Sequence, residues 1–196
     1  MEQSESRNAI KRLAEELLVR HGYRGMSYAE IASGLGVTRA NIHYHFGSKA
    51  ALIDEVLADY VAATLDSLRA VWDRQDSSLS DKISQMLAFS RQRYDRFNAA
   101  GGTVRPWSLI SRLRQDEDLL SDAGRARLAC FSTELREVFA RALDRAAAAG
   151  EIRGDVEAAT VLLVAIADSA APITIAEGGF AGLEAAYDAL ERLTVR

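Results

Sequence analysis

Between Arg39 and Lys49 the chain reads Arg-Ala-Asn-Ile-His-Tyr-His-Phe-Gly-Ser-Lys, a stretch dense in hydrogen-bonding side chains and free of carboxylates. An arginine can bridge O6 and N7 of guanine, an asparagine can bridge N6 and N7 of adenine, and aromatic hydroxyl, imidazole or ammonium groups reach phosphate oxygens. Catalytic chemistry finds less to work with. None of the three histidines, His21, His43 and His45, has a glutamate three residues before it, and no grouping of His, Cys and carboxylates has the spacing of a metal site. A phosphate-binding lysine loop and a dinucleotide glycine fingerprint are both missing. No catalytic residue, metal or cofactor is therefore expected, and the chain does not read as an enzyme.

The polar stretch needs elements to hold it. Ser27-Tyr28-Ala29-Glu30 forms a capping box, in which the serine oxygen accepts from the backbone of the fourth residue and Glu30 reaches back to the serine N–H. A short helix beginning there turns Ile31, Ala32 and Leu35 inward and breaks at Gly36-Val37. Thr38 then caps a second short helix whose inward residues are Ile42 and Phe46. The small Ala32 permits close approach, Gly36 supplies the backbone freedom of the turn, and Val37 and Ile42 plug the space between the helices. This is helix-turn-helix spacing. Arg39, Asn41, His43, Tyr44 and, in part, His45 are left on the outer side. Lys49, beside the Ser48 cap, falls at a helix start where backbone N–H groups already favour phosphate.

Around this motif the sequence is helical throughout. The 196 residues are 48% hydrophobic and 27% charged with only two prolines, which allows a sizeable core and excludes disordered and collagen-like classes. Apolar residues recur at helical spacing at Ile10, Leu13 and Leu17, at Leu52, Val56, Tyr60, Leu65, Leu68 and Trp72, and at Leu128, Phe131, Leu135, Val138, Ala142 and Ala146. Glycine and polar breaks predict about nine helices and no strands, an all-α fold. Seven basic against three acidic residues between Arg7 and Lys49 give that segment +4 and leave −8 elsewhere, the pattern of a small module with an anionic partner and a larger acidic body. The charged, amphipathic opening differs from a secretory signal, and a lone cysteine forbids an intramolecular disulfide, so the cytoplasm is the expected compartment. No membrane partner is expected: Val161–Ala167 is too short to span a bilayer, and the apolar segment to Ala176 reads as buried helix.

The run TVRANIHYHFGSKAALIDEVL following SYAEIASGLG resembles the DNA-binding domain of TetR-type bacterial repressors, over roughly Ile10 to Leu57. His43 departs from the pattern by standing where many members have a tyrosine. The resemblance implies an N-terminal three-helix DNA-binding domain over residues 1–47 and a helical effector-binding and dimerisation domain over 48–196. It also implies a homodimer whose recognition helices enter successive major grooves of a near-palindromic double-stranded operator, about 34–36 Å apart. The last two long helices, about Asp155 to Ala176 and Leu183 to Val195, would pair between subunits. Expected DNA-binding residues are Ser27, Tyr28, Thr38, Arg39, Asn41, His43, Tyr44, His45 and Lys49.

A small-molecule effector, apolar or aromatic, is expected among Met86, Phe89, Tyr94, Trp107, Phe131 and Phe139, although residues at such spacing also serve as plain core. Trp107 is expected at the start of a loosely anchored helix. Arg105, Arg112 and Arg114 are expected to pair with Asp116, Glu117 and Asp118 rather than hold an anion. Cys130 is expected buried and inert, and Asp168 paired, hydrogen-bonded or at a helix end. The competing reading is a helical ligand-binding or interaction protein without DNA binding, which would lack the groove-facing polar residues that this sequence has.

Overall fold

The computed structural model describes residues 2–196, with side chains from Ser4 onward. Among them are ten α-helices and one 3-10 turn at Glu117–Leu119. No strand occurs among the described residues; an isolated bridge joins Ile152 to Val195. The helices are α1 (Glu2–Gly25), α2 (Tyr28–Leu35), α3 (Arg39–Phe46), α4 (Lys49–Trp72), α5 (Leu79–Asn98), α6 (Leu109–Gln115), α7 (Asp122–Ala148), α8 (Val156–Asp168), α9 (Ala170–Ala176) and α10 (Ala181–Thr194). They divide into two compact units, one of residues 1–62 and 108–129, the other of 63–107 and 130–196. These packing units cut through α4 and α7, whereas the expected division at 47/48 follows the motif.

In the first unit, α1 packs on α2 and α6, and α2 packs on α3. The stripe that α1 buries is Ile10, Ala14 and Leu18, with Leu13 and Leu17 only half-buried. Alanine can occupy the innermost line because it lets a neighbouring backbone come close, and Leu13 moves aside to pack against Gly34. Two ion pairs at matching i, i+4 steps fasten α1 to α4: Arg7 grips Glu55 with both guanidinium nitrogens, and Lys11 meets Asp59. Arg7 also lies over the Phe46 ring, 4.5 Å from its centre. These contacts commit part of the basic surplus to the fold itself.

The second unit is built on α5, α8, α9 and α10, with α10 packing against each of the other three. Trp72 and Phe139 meet edge to face at 4.7 Å in its core. Asp155 caps α8 by accepting from the Ala158 N–H, as its position predicts. The expected single helix from Asp155 to Ala176 is two: α8 and α9 bend by 61° at Ser169, with Pro172 in the first turn of α9, where its missing N–H costs nothing. Asp168 is consequently the last residue of α8 rather than an acid inside an apolar helix. Neither is the segment simply buried, since Val161, Leu162 and Ile175 are exposed. Among the described residues no single helix is long and apolar enough to cross a membrane.

Candidate nucleic-acid interface

Local chemistry shapes the motif as its sequence predicts. The Ser27 hydroxyl accepts from the Glu30 N–H at 3.2 Å and donates to the Glu30 carboxylate at 2.9 Å, so the glutamate closes the box on the hydroxyl rather than on the backbone. Gly36 ends α2 in the left-handed region at φ 65° and donates its N–H to the Ala32 carbonyl. A side chain there would meet no neighbour; the requirement is conformational, not steric. Thr38 caps α3 by accepting from the Asn41 N–H. Ile31, Ala32, Ile42 and Phe46 are buried, while Leu35 and Val37 are only half-buried because they close the edge of the turn rather than its centre.

With Ile42 and Phe46 anchoring one side, α3 exposes Arg39, Ala40, His43 and Tyr44 on the other, and Tyr44 retains 74% of its surface. Arg39 has no hydrogen-bond or ion-pair partner among the described residues. Asn41 and His45 are half-buried at the margins of this face. The Asn41 Oδ1 and the Tyr28 hydroxyl are shielded yet lack any hydrogen-bond partner, and burial pushes the Tyr28 phenol above its ordinary value. Ser27 and Thr38 are largely occupied as caps, which makes them organisers of the face before they are contacts.

His43 behaves differently from a simple outward donor. Its Nδ1 lies 2.8 Å from the Gly47 carbonyl, and its ring meets Tyr28 edge to face at 4.8 Å. Because a carbonyl only accepts, Nδ1 must carry the hydrogen, and the neutral ring then has none at Nε2. Only the imidazolium can donate to a phosphate from that side.

Lys49 opens α4 next to Ser48, whose hydroxyl accepts from the Ala51 N–H at 3.1 Å. Its ammonium sits 4.8 Å from the centre of the Tyr23 ring. Burial lowers the Lys49 pKa, and the Glu30 carboxylate opposes that shift. Tyr23 escaped the sequence reading because nothing in local spacing links it to Lys49.

The six candidate effector residues do not form one wall. Tyr94 lies 6.3 Å from Trp107 and 5.1 Å from Phe180, an aromatic that sequence reasoning missed. Phe139 belongs to the Trp72 core instead; Met86 and Phe131 are buried, and Phe89 is half-buried with Arg93 over its ring. Trp107 is firmly held rather than loosely anchored: it is buried, and its Nε1 donates to Thr174 Oγ1 at 2.8 Å. Burial pushes the Tyr187 phenol up, with Ser90 partly offsetting the shift. Cys130 is exposed, contrary to expectation, because the inward line of α7 runs through Leu128, Phe131 and Leu135 and the residue before Phe131 falls outside it. The acidic run after Arg114 also reaches α1: Asp116 accepts from the Tyr23 N–H, and Asp118 lies 3.9 Å from Arg24. No group of three or more His, Cys, Asp or Glu residues suited to a metal occurs among the described residues.

Comparisons with known proteins agree with this geometry. Residues 10–56 match the family model described as bacterial regulatory proteins, tetR family. The chain is 24% identical over 153 residues to the HTH-type transcriptional repressor KstR2 of Rhodococcus jostii (strain RHA1), covering 77% of this chain and 70% of that protein. A TetR-family transcriptional regulator from Agrobacterium tumefaciens superposes with a TM-score of 0.85 at 21% identity, over 98% of this chain and 100% of the other. A putative transcriptional regulator from Saccharomonospora viridis, solved in complex with choline, gives 0.79 at 22% identity over 98% and 99%. The family model thus covers the helix-turn-helix of this chain, residues 10–56, on a fold shared along almost its whole length with solved transcriptional regulators.

Proposed function

We propose that the protein is a cytoplasmic, homodimeric repressor that binds a near-palindromic DNA operator through α3 and is controlled by a small-molecule effector. The observation that carries this reading is the division of α3 into an anchored side, Ile42 and Phe46, and an exposed polar side, Arg39, His43 and Tyr44. On this reading residues 1–47 are the DNA-binding domain and 48–196 the effector-binding and dimerisation domain. Arg39 and Asn41 read base edges, Tyr44 and Lys49 contact phosphates, His43 lies beside them, Tyr28 and His45 flank the groove, and Ser27 and Thr38 hold the helices in place.

Dimerisation through the C-terminal helices is supported by exposed Val161, Leu162, Ile175 and Leu193 on α8, α9 and α10, apolar groups that a partner would cover. Repression draws support from the similarity to KstR2, and a small-molecule signal from the choline held by the Saccharomonospora viridis regulator. Tyr94, Trp107 and Phe180 are the aromatic group best arranged to meet such a molecule; Met86, Phe89 and Phe131 are secondary candidates, and Phe139 serves the core.

Selection of binding sites from a random duplex pool, followed by a salt titration on the selected sequence, tests this function. The expected result is two inverted half-sites about one helical turn apart, with affinity falling steeply as salt rises. A protein that enriches no sequence and binds duplex DNA independently of salt would not be this regulator.

A further inference from the structure

We propose that Asp116 and Tyr23 are positioning residues for Lys49, holding its ammonium where it meets the DNA backbone; the inference rests on the phosphate role given to Lys49 above. Helix α1 breaks near its end. Gly22 adopts φ 71° and ψ −173°, which interrupts the helix and strips Tyr23 of its intrahelical acceptor. The Met26 N–H then bonds to the Gly22 carbonyl, so a new turn starts there. A first turn needs a cap for its N–H groups, and the residues before it supply none. Asp116, directly after α6 and 93 residues away in sequence, accepts the Tyr23 N–H with Oδ2 at 2.8 Å. Only glycine fits at position 22, since a Cβ would collide with the Asp116 carboxylate and the Arg112 guanidinium as well as suffer the left-handed backbone.

The held turn in turn presents the Tyr23 ring to Lys49, whose Nζ lies 4.8 Å from its centre. Lysine has a long stem with many rotamers, and a cation held over an aromatic face gives up that freedom before DNA arrives. The Glu30 carboxylate acts on the same ammonium, opposing the effect of its burial. Arg24 and Asp118 form a second, looser tie between the same two segments. Asp116 thus supports a DNA contact that it never touches.

The test is a salt series on the selected operator with the full-length protein and the variants Lys49→Ala, Asp116→Ala, Asp116→Asn, Tyr23→Leu and the Lys49→Ala/Asp116→Ala pair. Each lost phosphate contact reduces the slope of log K against log salt by about 0.9, close to a tenfold loss of affinity at about 0.1 M salt. The slope reports contacts made by active molecules, so partial unfolding does not mimic it. Asp116→Ala and Tyr23→Leu are expected to show the same reduced slope as Lys49→Ala, and the pair no further reduction. Asp116→Asn, whose amide oxygen still accepts the Tyr23 N–H, is expected to keep the wild-type slope. A wild-type slope in Asp116→Ala, or additive losses in the pair, overturns the positioning role alone. A wild-type slope in Lys49→Ala overturns both the contact and its support, and an absence of salt-dependent DNA binding in the wild type overturns the regulator reading itself.

Discussion

Helices α3 and α6 are nearly the same length, eight and seven residues, and both carry arginine among apolar anchors, yet they spend their polar groups in opposite ways. In α6 the polar groups serve the fold. Ser108 caps it, the Tyr60 hydroxyl takes the Leu109 N–H at 3.3 Å, Arg112 donates to Gln115, and Asp116 at its end takes the Tyr23 N–H. In α3 only the Thr38 cap and the His43 bond to Gly47 are spent internally, while Arg39 and Tyr44 face outward. A helix whose polar groups are consumed is held in place; one whose groups are kept free is held out for a partner. Burial of apolar side chains pays for both.

The comparison breaks most severely at the anchors. Ile42→Ala and Leu113→Ala, each at a position with 0% exposure, are expected to cost about 2–5 kcal/mol apiece in chemical denaturation, without distinguishing the helices. The distinction appears at the arginines. Arg39→Ala should leave stability within about 0.5 kcal/mol while reducing preference for the operator over a mismatched site by about 1–3 kcal/mol. For Arg112→Ala the order reverses, with lower stability and little change in base preference, because its half-buried side chain packs at Gly22. If competition binding shows Arg112→Ala altering base preference more than Arg39→Ala, the contrast between the helices is false. Removing the caps, Thr38→Ala and Ser108→Ala, should cost about 1 kcal/mol each in thermal unfolding, with Thr38→Ala alone also weakening DNA binding.

The smallest expected effect concerns His43. With Nδ1 committed to Gly47, His43→Ala should loosen the end of α3 and weaken operator binding by less than Arg39→Ala does in fluorescence anisotropy; unchanged binding would remove His43 from the DNA-facing set.

Much of α2 and α3 was legible in the chain because each device there is local. Ser27 with Glu30, Gly36, and Thr38 with Asn41 are all interactions within four residues, and the i, i+4 pair Ile42 and Phe46 orients the rest. Elsewhere the apolar period identified helices without saying which line of residues would lie innermost, so α1 buried Ala14 and Leu18 instead of Leu13 and Leu17, and Cys130 came out exposed. An apolar run likewise does not reveal its bend. Val161 to Ala176 reads as one helix, yet it turns at Ser169, a place marked only by a proline three residues on.

Taken alone, the order of residues determined the helical class, the helix-turn-helix and its outward polar set, since caps, left-handed glycines and i, i+4 spacing act over a turn or two of chain. Tertiary structure decided which partners meet across long separations: Asp116 with Tyr23, Tyr23 with Lys49, Arg7 with Glu55 and Phe46, and Trp107 with Thr174. Hydrogen bonds and ring contacts of this kind depend on how neighbouring helices are rotated about their own axes, and that rotation is set by the whole core at once rather than by any segment within it.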